Sequence, residues 1–242
     1  MARVTRERFK TYKNVFDNHS ERILFKLSSQ GHFDELMSPL TLGKEANIFT
    51  ASNDREGKAV IIKIYRLETC DFNRLYDYIK FDPRFPAMQR QKRKVIFAWC
   101  KREFRNLLLA RDAGIRCPTP RAFLDNILVM EFIGDEYAAP KLKDQIPKNI
   151  DTFYRRTMEY LFKLVGSGLV HGDLSEYNIL NYNESPVFID FSQATPVRSI
   201  NALQLAERDI DNLNRFFKKH GAAITDTATI KKKIKEIIKK QW

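Results

Sequence analysis

The chain has 242 residues, 43% of them hydrophobic and 12% aromatic, enough to bury a core in one compact unit or in two small lobes and too much for a disordered chain. The formal net charge of +12 points either to a polyanionic partner (nucleotide, RNA or an anionic surface) or simply to a basic, solvated exterior. Three cysteines without a Cys-x-x-Cys pair argue against a zinc site or disulfide framework, no apolar run approaches the roughly 18 residues of a membrane span, and the charged start Met1 to Arg8 lacks a signal core, so the expected compartment is the cytoplasm.

In chain order, residues 1–36 are expected to form a helical N-terminal extension, with Ile23, Leu24 and Leu27 on one face and Gly31 as its stop. Residues 40–42, 48–51 and 59–65 read as strands rich in β-branched and aromatic residues, and Asn53 to Gly57 has the composition of a hairpin turn. A helix is expected at 71–80, followed by a mobile loop at 81–91 in which Asp82-Pro83-Arg84-Phe85-Pro86 resists regular structure. A long amphipathic helix at 92–113 places Val95, Trp99, Phe104, Leu107 and Leu108 on its apolar face, and Gly114 ends it. Strands at 122–124 and 127–132, a helix at 150–167, short strands at 179–181 and 187–189, and helices near 200–220 and 226–240 complete the chain. The order predicts an α+β fold with a small β-rich lobe at 37–131 and a mostly helical lobe at 132–242, joined near 131–136.

Transfer of a γ-phosphoryl group requires a lid over the phosphates, a cation against them, hard oxygen ligands for a metal ion and a carboxylate near the attacking oxygen. Asp173 follows Val170-His171-Gly172 in a loop, and Asn178 lies five residues on. The carboxylate can accept the proton of an attacking hydroxyl, and the amide oxygen can ligate Mg²⁺. A capping Asp and a turn Asn are the plainer alternative, but the full string His-Gly-Asp-Leu-x3-Asn-Ile-Leu is far more specific. Asp190 follows Val187-Phe188-Ile189 at a strand end, a place for a second metal ligand. Lys63 interrupts the apolar strand Val60 to Tyr65, where its charge needs a phosphate or a carboxylate partner. Glu103, mid-helix among Trp99, Phe104 and Leu107, is the expected partner, with a snorkelling edge lysine and a solvated glutamate as the structural alternatives. Gly43-Lys44-Glu45-Ala46, between the first two strands, can approach phosphates through its backbone. His171 is expected to pack beneath the loop and leave the proton transfer to Asp173.

Together these strings resemble the RIO family of atypical serine/threonine protein kinases, in its first subgroup. The resemblance is carried by Gly43 to Phe49, Asp82-Pro83-Arg84-Phe85, Glu103-Phe104-Arg105-Asn106-Leu107, His171 to Leu180, Ile189-Asp190-Phe191-Ser192-Gln193 and Arg208-Asp209-Ile210-Asp211-Asn212. It implies a trimmed protein-kinase fold that binds ATP with Mg²⁺ or Mn²⁺. Asp173 is then the catalytic carboxylate, Asn178 and Asp190 are the metal ligands, Lys63 is the phosphate lysine and Glu103 its partner. Met130, Glu131 and Ile133 then meet adenine through their backbone. The resemblance further implies a part in maturation of the small ribosomal subunit, with ribosomal RNA or a pre-small-subunit particle as partner. An ATPase-like switch, with an aspartyl-phosphate at Asp190, belongs to the same expectation. Thr41-Leu42 stands where members often carry Ser-Thr, and Phe191 where this subgroup more often has Val. After Asp190 there is no Asp-Phe-Gly, no long activation segment and no Ala-Pro-Glu. Two other readings share parts of the pattern: a small-molecule kinase of the aminoglycoside or choline type, and a nucleotide-binding assembly factor without turnover.

Overall fold

Phe16, Ile23, Leu24 and Leu27 share one buried cluster with Phe33, Phe49, Ile62, Ile127 and Val129, so the helix near the N-terminus packs into the core of a β-sheet. This is seen in a computed structural model that describes residues 16–55, 57–80, 82–86 and 88–241; the part of the expected extension before Phe16 lies outside them. The helix, α1 (Asn18–Ser29), begins where the Asp17 carboxylate accepts the backbone N–H groups of His19 and Ser20, both at 2.9 Å.

Five strands, β1 (Leu36–Leu42), β2 (Ala46–Ala51), β3 (Val60–Tyr65), β4 (Pro120–Leu124) and β5 (Ile127–Glu131), form an antiparallel sheet in the order β1-β2-β3-β5-β4. All six residues of β3 are buried, which explains its unbroken apolar character apart from Lys63. Lys63 pairs with Ile48 on one side and Leu128 on the other, so the edge-strand alternative does not hold. β1 starts ahead of the expected position. Its residues beyond Leu36 are exposed and its ladder is irregular around Pro39, so no alternation announces it.

Between β3 and β4 lie α2 (Phe72–Ile79) and α3 (Lys92–Asp112). The buried face of α3 differs from the one expected: Leu108 is exposed and Phe104 only half-buried, while Val95, Trp99, Arg102, Glu103, Asn106, Leu107 and Ala110 are buried. The buried positions keep a helical period, but three are polar, so a stripe read from apolar residues alone is rotated. Arg102 lies buried with its guanidinium 4.9 Å from the centroid of the Trp99 ring. In the preceding segment, Asp82 and Phe85 are buried.

The remaining chain supplies α4 (Ile150–Gly166), α5 (Ala202–Lys219) and α6 (Thr227–Lys239). Phe153, Leu161, Leu164, Val165, Ile210, Leu213 and Phe217 are buried, as are Ile230, Ile234 and Ile238 of α6. Four short strands form two separate ladders: β6 (Leu169–Val170) pairs with β9 (Thr195–Pro196), and β7 (Ile179–Tyr182) with β8 (Ser185–Phe188). The two-residue strands β6 and β9 are too short to show any periodicity in the sequence. By internal contacts the chain divides into two units. The first takes residues up to Lys80, Arg84–Phe104 and Thr119–Phe132; the second takes 82–83, Arg105–Pro118 and Ile133 onward. No helix among the described residues is long and apolar enough to cross a membrane.

Candidate active site

In the first unit, Lys63 Nζ donates to Glu103 Oε1 at 2.8 Å, with Lys63 5% and Glu103 1% exposed. The Tyr65 hydroxyl donates to Glu103 Oε2, and Lys63 Nζ lies 5.2 Å from the Tyr65 ring centroid. Residues 63 and 65 share a strand face, so β3 presents both groups to the same carboxylate. Burial strengthens this pair's mutual attraction while penalising either charge alone.

The turn from Gly43 to Ala46 is tight. Gly43 N–H donates to the Ala46 carbonyl at 3.1 Å, and a Cβ on Gly43 would stand 2.8 Å from that oxygen. Glycine is needed here for space. The turn is anchored through its carbonyls: Glu45 O accepts from Arg66 N at 2.9 Å and Lys44 O from Thr69 Oγ1 at 2.9 Å. At the end of β5, Glu131 N–H donates to Thr119 O at 2.8 Å, and the Glu131 carboxylate accepts from Thr119 N and Oγ1 at 3.0 and 2.8 Å. Met130 pairs with Ile61 and Pro120, and Ile133 opens the second unit's share of the chain.

In the second unit the two short ladders assemble a loop and a turn. β6 leads into His171 and β9 follows Gln193; β7 follows Asn178 and β8 leads to Asp190. The β7–β8 hairpin pairs Ile179 with Phe188, and Ile189 N–H donates to Asn178 O at 3.0 Å. Asn178 and Asp190 therefore stand at the same end of one hairpin. Asn178 Nδ2 donates to the Asp173 carbonyl at 2.8 Å and to Asp173 Oδ2 at 3.2 Å, and Gln193 Nε2 donates to the same Oδ2 at 3.2 Å. Arg208 Nη2 lies 3.8 Å from Asp173 Oδ1 and also donates to the Gly172 carbonyl. Asp173 keeps 45% of its side chain exposed, so its carboxylate is held by amides yet open to an incoming group.

Asp190 has φ 60° and ψ 68°, a left-handed conformation uncommon outside glycine, which aspartate takes more readily than most residues because its short side chain bonds locally. It caps a 3-10 turn (Phe191–Gln193), accepting from Ser192 Oγ at 2.7 Å. His171 is fully buried against the Phe188 and Phe191 rings, with Nε2 3.1 Å from the Ile189 carbonyl, and burial lowers its pKa to about 4 against the pull of Asp190. It is thus the neutral packed histidine expected beneath the loop. On α5, the buried Asp209 carboxylate accepts Gly172 N–H and Leu174 N–H, both at 2.8 Å. Burial pushes its pKa up to about 7, opposed by those two N–H donors and by Arg208.

Four residues in this arrangement were given no role by the sequence. Tyr65 and Gln193 sit beside expected residues, at strand and loop spacings that place them on the same side. Asn106 follows Glu103 by three positions on α3 and carries an unexpected burial. Asp209 appears in a recognisable string, but nothing in that string says that it binds a loop more than thirty residues away.

Residues 47–230 match the family model of the RIO domain. The RIO-type serine/threonine-protein kinase Rio1 of Haloferax volcanii is 40% identical over 217 residues, covering 89% of this chain and 74% of the relative. The protein of the same description from Methanocaldococcus jannaschii is 41% identical over 215 residues, covering 88% and 73%. The human serine/threonine-protein kinase RIO1 is 33% identical over 220 residues, 88% of this chain and 39% of its own length. Among solved structures, the Rio2 kinase–ADP/Mg²⁺–phosphoaspartate complex from Chaetomium thermophilum aligns with a TM-score of 0.69 at 21% identity, over 91% of this chain and 66% of that one. Another Rio2 kinase structure from that organism aligns at 0.70 and 22%, over 91% and 68%. The two structures support the kinase-like α+β fold.

The two buried titrating groups under the loop oppose each other with pH. Asp209 binds a proton up to about pH 7 when folded, against 3.8 ordinarily, so its contribution to stability is full below about pH 4 and is lost as the pH rises toward 7. His171 is depressed from 6.5 to about 4, so its contribution is full above pH 6.5 and is lost as the pH falls toward 4. Between those limits the two offset. Relative to the unmodified chain, Asp209→Asn should lose stability toward acid and His171→Gln should lose it toward neutral pH, read as urea midpoints from pH 4 to 7.5. Parallel profiles for all three proteins would overturn this account.

Proposed function

Since the chain belongs to the RIO family of serine/threonine protein kinases, in its Rio1 subgroup, we propose that it transfers the γ-phosphoryl group of ATP through Lys63, Asp173, Asn178 and Asp190. The observation that carries the reading is the set of amides on Asp173: Asn178 and Gln193 fix one carboxylate oxygen while the side chain stays half-exposed. That is the arrangement of a general base that must keep its orientation and still meet an acceptor hydroxyl. Lys63, held by Glu103, serves the phosphates. The Gly43 to Ala46 turn covers them, and the backbone of Met130, Glu131 and Ile133 meets adenine.

Asn178 and Asp190 offer an amide oxygen and a carboxylate from one hairpin end, hard donors of the kind Mg²⁺ or Mn²⁺ takes. Among the described residues there is no cluster of three or more His, Cys, Asp or Glu that could hold a metal. When bound, such an ion neutralises phosphate charge. The relatives' names favour a protein hydroxyl as acceptor over an aminoglycoside or choline. Only the 3-10 turn, β9 and a short connection separate Asp190 from α5, too little chain for the usual peptide platform, which favours a narrow acceptor range. Asp173→Ala should lower turnover by on the order of 10²–10⁴-fold with nucleotide affinity nearly unchanged. Lys63→Ala should weaken nucleotide binding as well. Turnover of Asp173→Ala within a few-fold of the unmodified enzyme would sink the assignment.

The reading extends to an ATPase cycle through Asp190. A carboxylate oxygen of Asp190 attacks the γ-phosphorus, the bond to the bridging oxygen breaks and ADP leaves; water then cleaves the acyl phosphate, releasing phosphate and restoring the carboxylate. The phosphoaspartate of the Chaetomium thermophilum Rio2 kinase–ADP/Mg²⁺ complex supports this chemistry. Quenched turnover mixtures should hold acid-stable, hydroxylamine-sensitive phosphate on Asp190. If they hold none, direct transfer to the acceptor is the better description.

We also propose a partner, ribosomal RNA or a pre-small-subunit particle, in the cytoplasm. Ile230, Ile234 and Ile238 bury one face of α6, and Lys232, Lys233, Lys235, Lys239 and Lys240 are exposed, whereas Lys231 is paired with Asp211 at 2.8 Å. Such a face binds phosphates with little sequence preference and a steep salt dependence. Reversing the charge of Lys232, Lys233 and Lys240 should weaken RNA binding several-fold and leave ATP turnover intact. Unchanged binding, or binding indifferent to salt, rules this face out.

A further inference from the structure

Asn106 is fully buried in α3, an unfavourable place for a primary amide unless its groups are satisfied. Its Nδ2 donates two hydrogen bonds, to the Phe191 carbonyl at 2.9 Å and to the Ala194 carbonyl at 2.8 Å. Those carbonyls bracket the 3-10 turn that Asp190 caps. One amide therefore pins both ends of the short segment immediately after the proposed metal carboxylate. Asp190 itself holds the left-handed conformation with φ 60°, uncommon outside glycine, so the contacts around it matter to its placement. Ser192 Oγ, in the middle of the same turn, donates to Asp190 Oδ1 at 2.7 Å. The chain of contacts thus runs from Asn106 to the turn, and from the turn to the Asp190 carboxylate.

We infer that Asn106 is a positioning residue for the metal carboxylate: by clamping the Phe191 and Ala194 carbonyls it holds Asp190 in the left-handed conformation from which it meets the divalent cation. The inference rests on the phosphotransferase reading above and adds a residue that does not touch nucleotide or metal. Leucine has the same branching as asparagine and lacks the donor, so Asn106→Leu removes both bonds, leaving the Phe191 carbonyl with only the Ala194 N–H at 3.2 Å and depriving the Ala194 carbonyl of its side-chain donor. Groups that orient a metal ligand from behind typically contribute 10- to 100-fold in metal affinity.

The test is Mn²⁺ affinity measured by electron paramagnetic resonance, with a non-hydrolysable ATP analogue present, alongside analogue affinity measured in excess EDTA. Asn106→Leu should weaken Mn²⁺ binding by about tenfold or more. It should leave metal-free nucleotide affinity within about twofold, and the loss should vanish in an Asp190→Asn background, as coupling through that carboxylate requires. Should the leucine variant not fold, Asn106→Ser keeps one donor in a smaller side chain and should give an intermediate loss. Unchanged Mn²⁺ affinity, an equal loss in EDTA, or a loss that persists without Asp190 overturns the inference. Failure of the unmodified chain to bind Mn²⁺ with the analogue overturns the phosphotransferase reading instead, so the two failures are distinct.

Discussion

A lysine buried in the middle of a central strand is the constraint on which the first unit's arrangement depends. Lys63 cannot reach water from β3, whose six residues are all buried, so its charge has to be met inside the protein. Glu103 meets it, and Tyr65 donates to the same carboxylate. A pair of this kind adds little net stability compared with a well-packed apolar pair, but losing one partner strands the other charge. The sheet and the first part of α3 are thereby held in one register, with the ammonium oriented by the Glu103 carboxylate.

The second unit meets an analogous constraint with a carboxylate. The loop from His171 to Asn178 is too irregular to satisfy its own backbone, and two of its N–H groups are taken by the buried Asp209 of α5. Gly172 is part of the same solution. It has φ 77°, and a Cβ there would stand 3.2 Å from the Gln193 carbonyl and 3.4 Å from Leu205. The loop can thus lie close against both the turn after Asp190 and α5. With its backbone fixed from below by Asp209 and its floor filled by His171, the loop presents the Asp173 carboxylate to the amides of Asn178 and Gln193 and to Arg208.

α3 illustrates how one helix can serve more than packing. Glu103 and Asn106, three residues apart and both buried, are occupied by Lys63 and by the turn after Asp190 respectively. Arg102 beside them lies against Trp99. A helix interior filled with charged and amide groups is costly unless each is matched. This is why the apolar stripe drawn from Val95, Trp99 and Leu107 misjudges the faces of Phe104 and Leu108.

By itself the sequence determined the element order, the α+β class and the loop and strand strings in which the candidate residues stand. Those features are local: helix and strand periods, turn residues, and a loop string whose spacing is set by the few residues between Asp173 and Asn178. The pairing of Lys63 with Glu103 was also legible, because a charge inside an apolar strand demands a partner and an apolar helix offered one. Tertiary structure alone decided the rest. Lys63 is central because β5, distant in sequence, pairs beside β3. β6 and β9 exist only as each other's partners, since two residues have no period. Asp209 and Asn106 acquire their tasks from backbone groups far along the chain, and a hydrogen bond to a distant carbonyl or N–H leaves no mark on the local sequence.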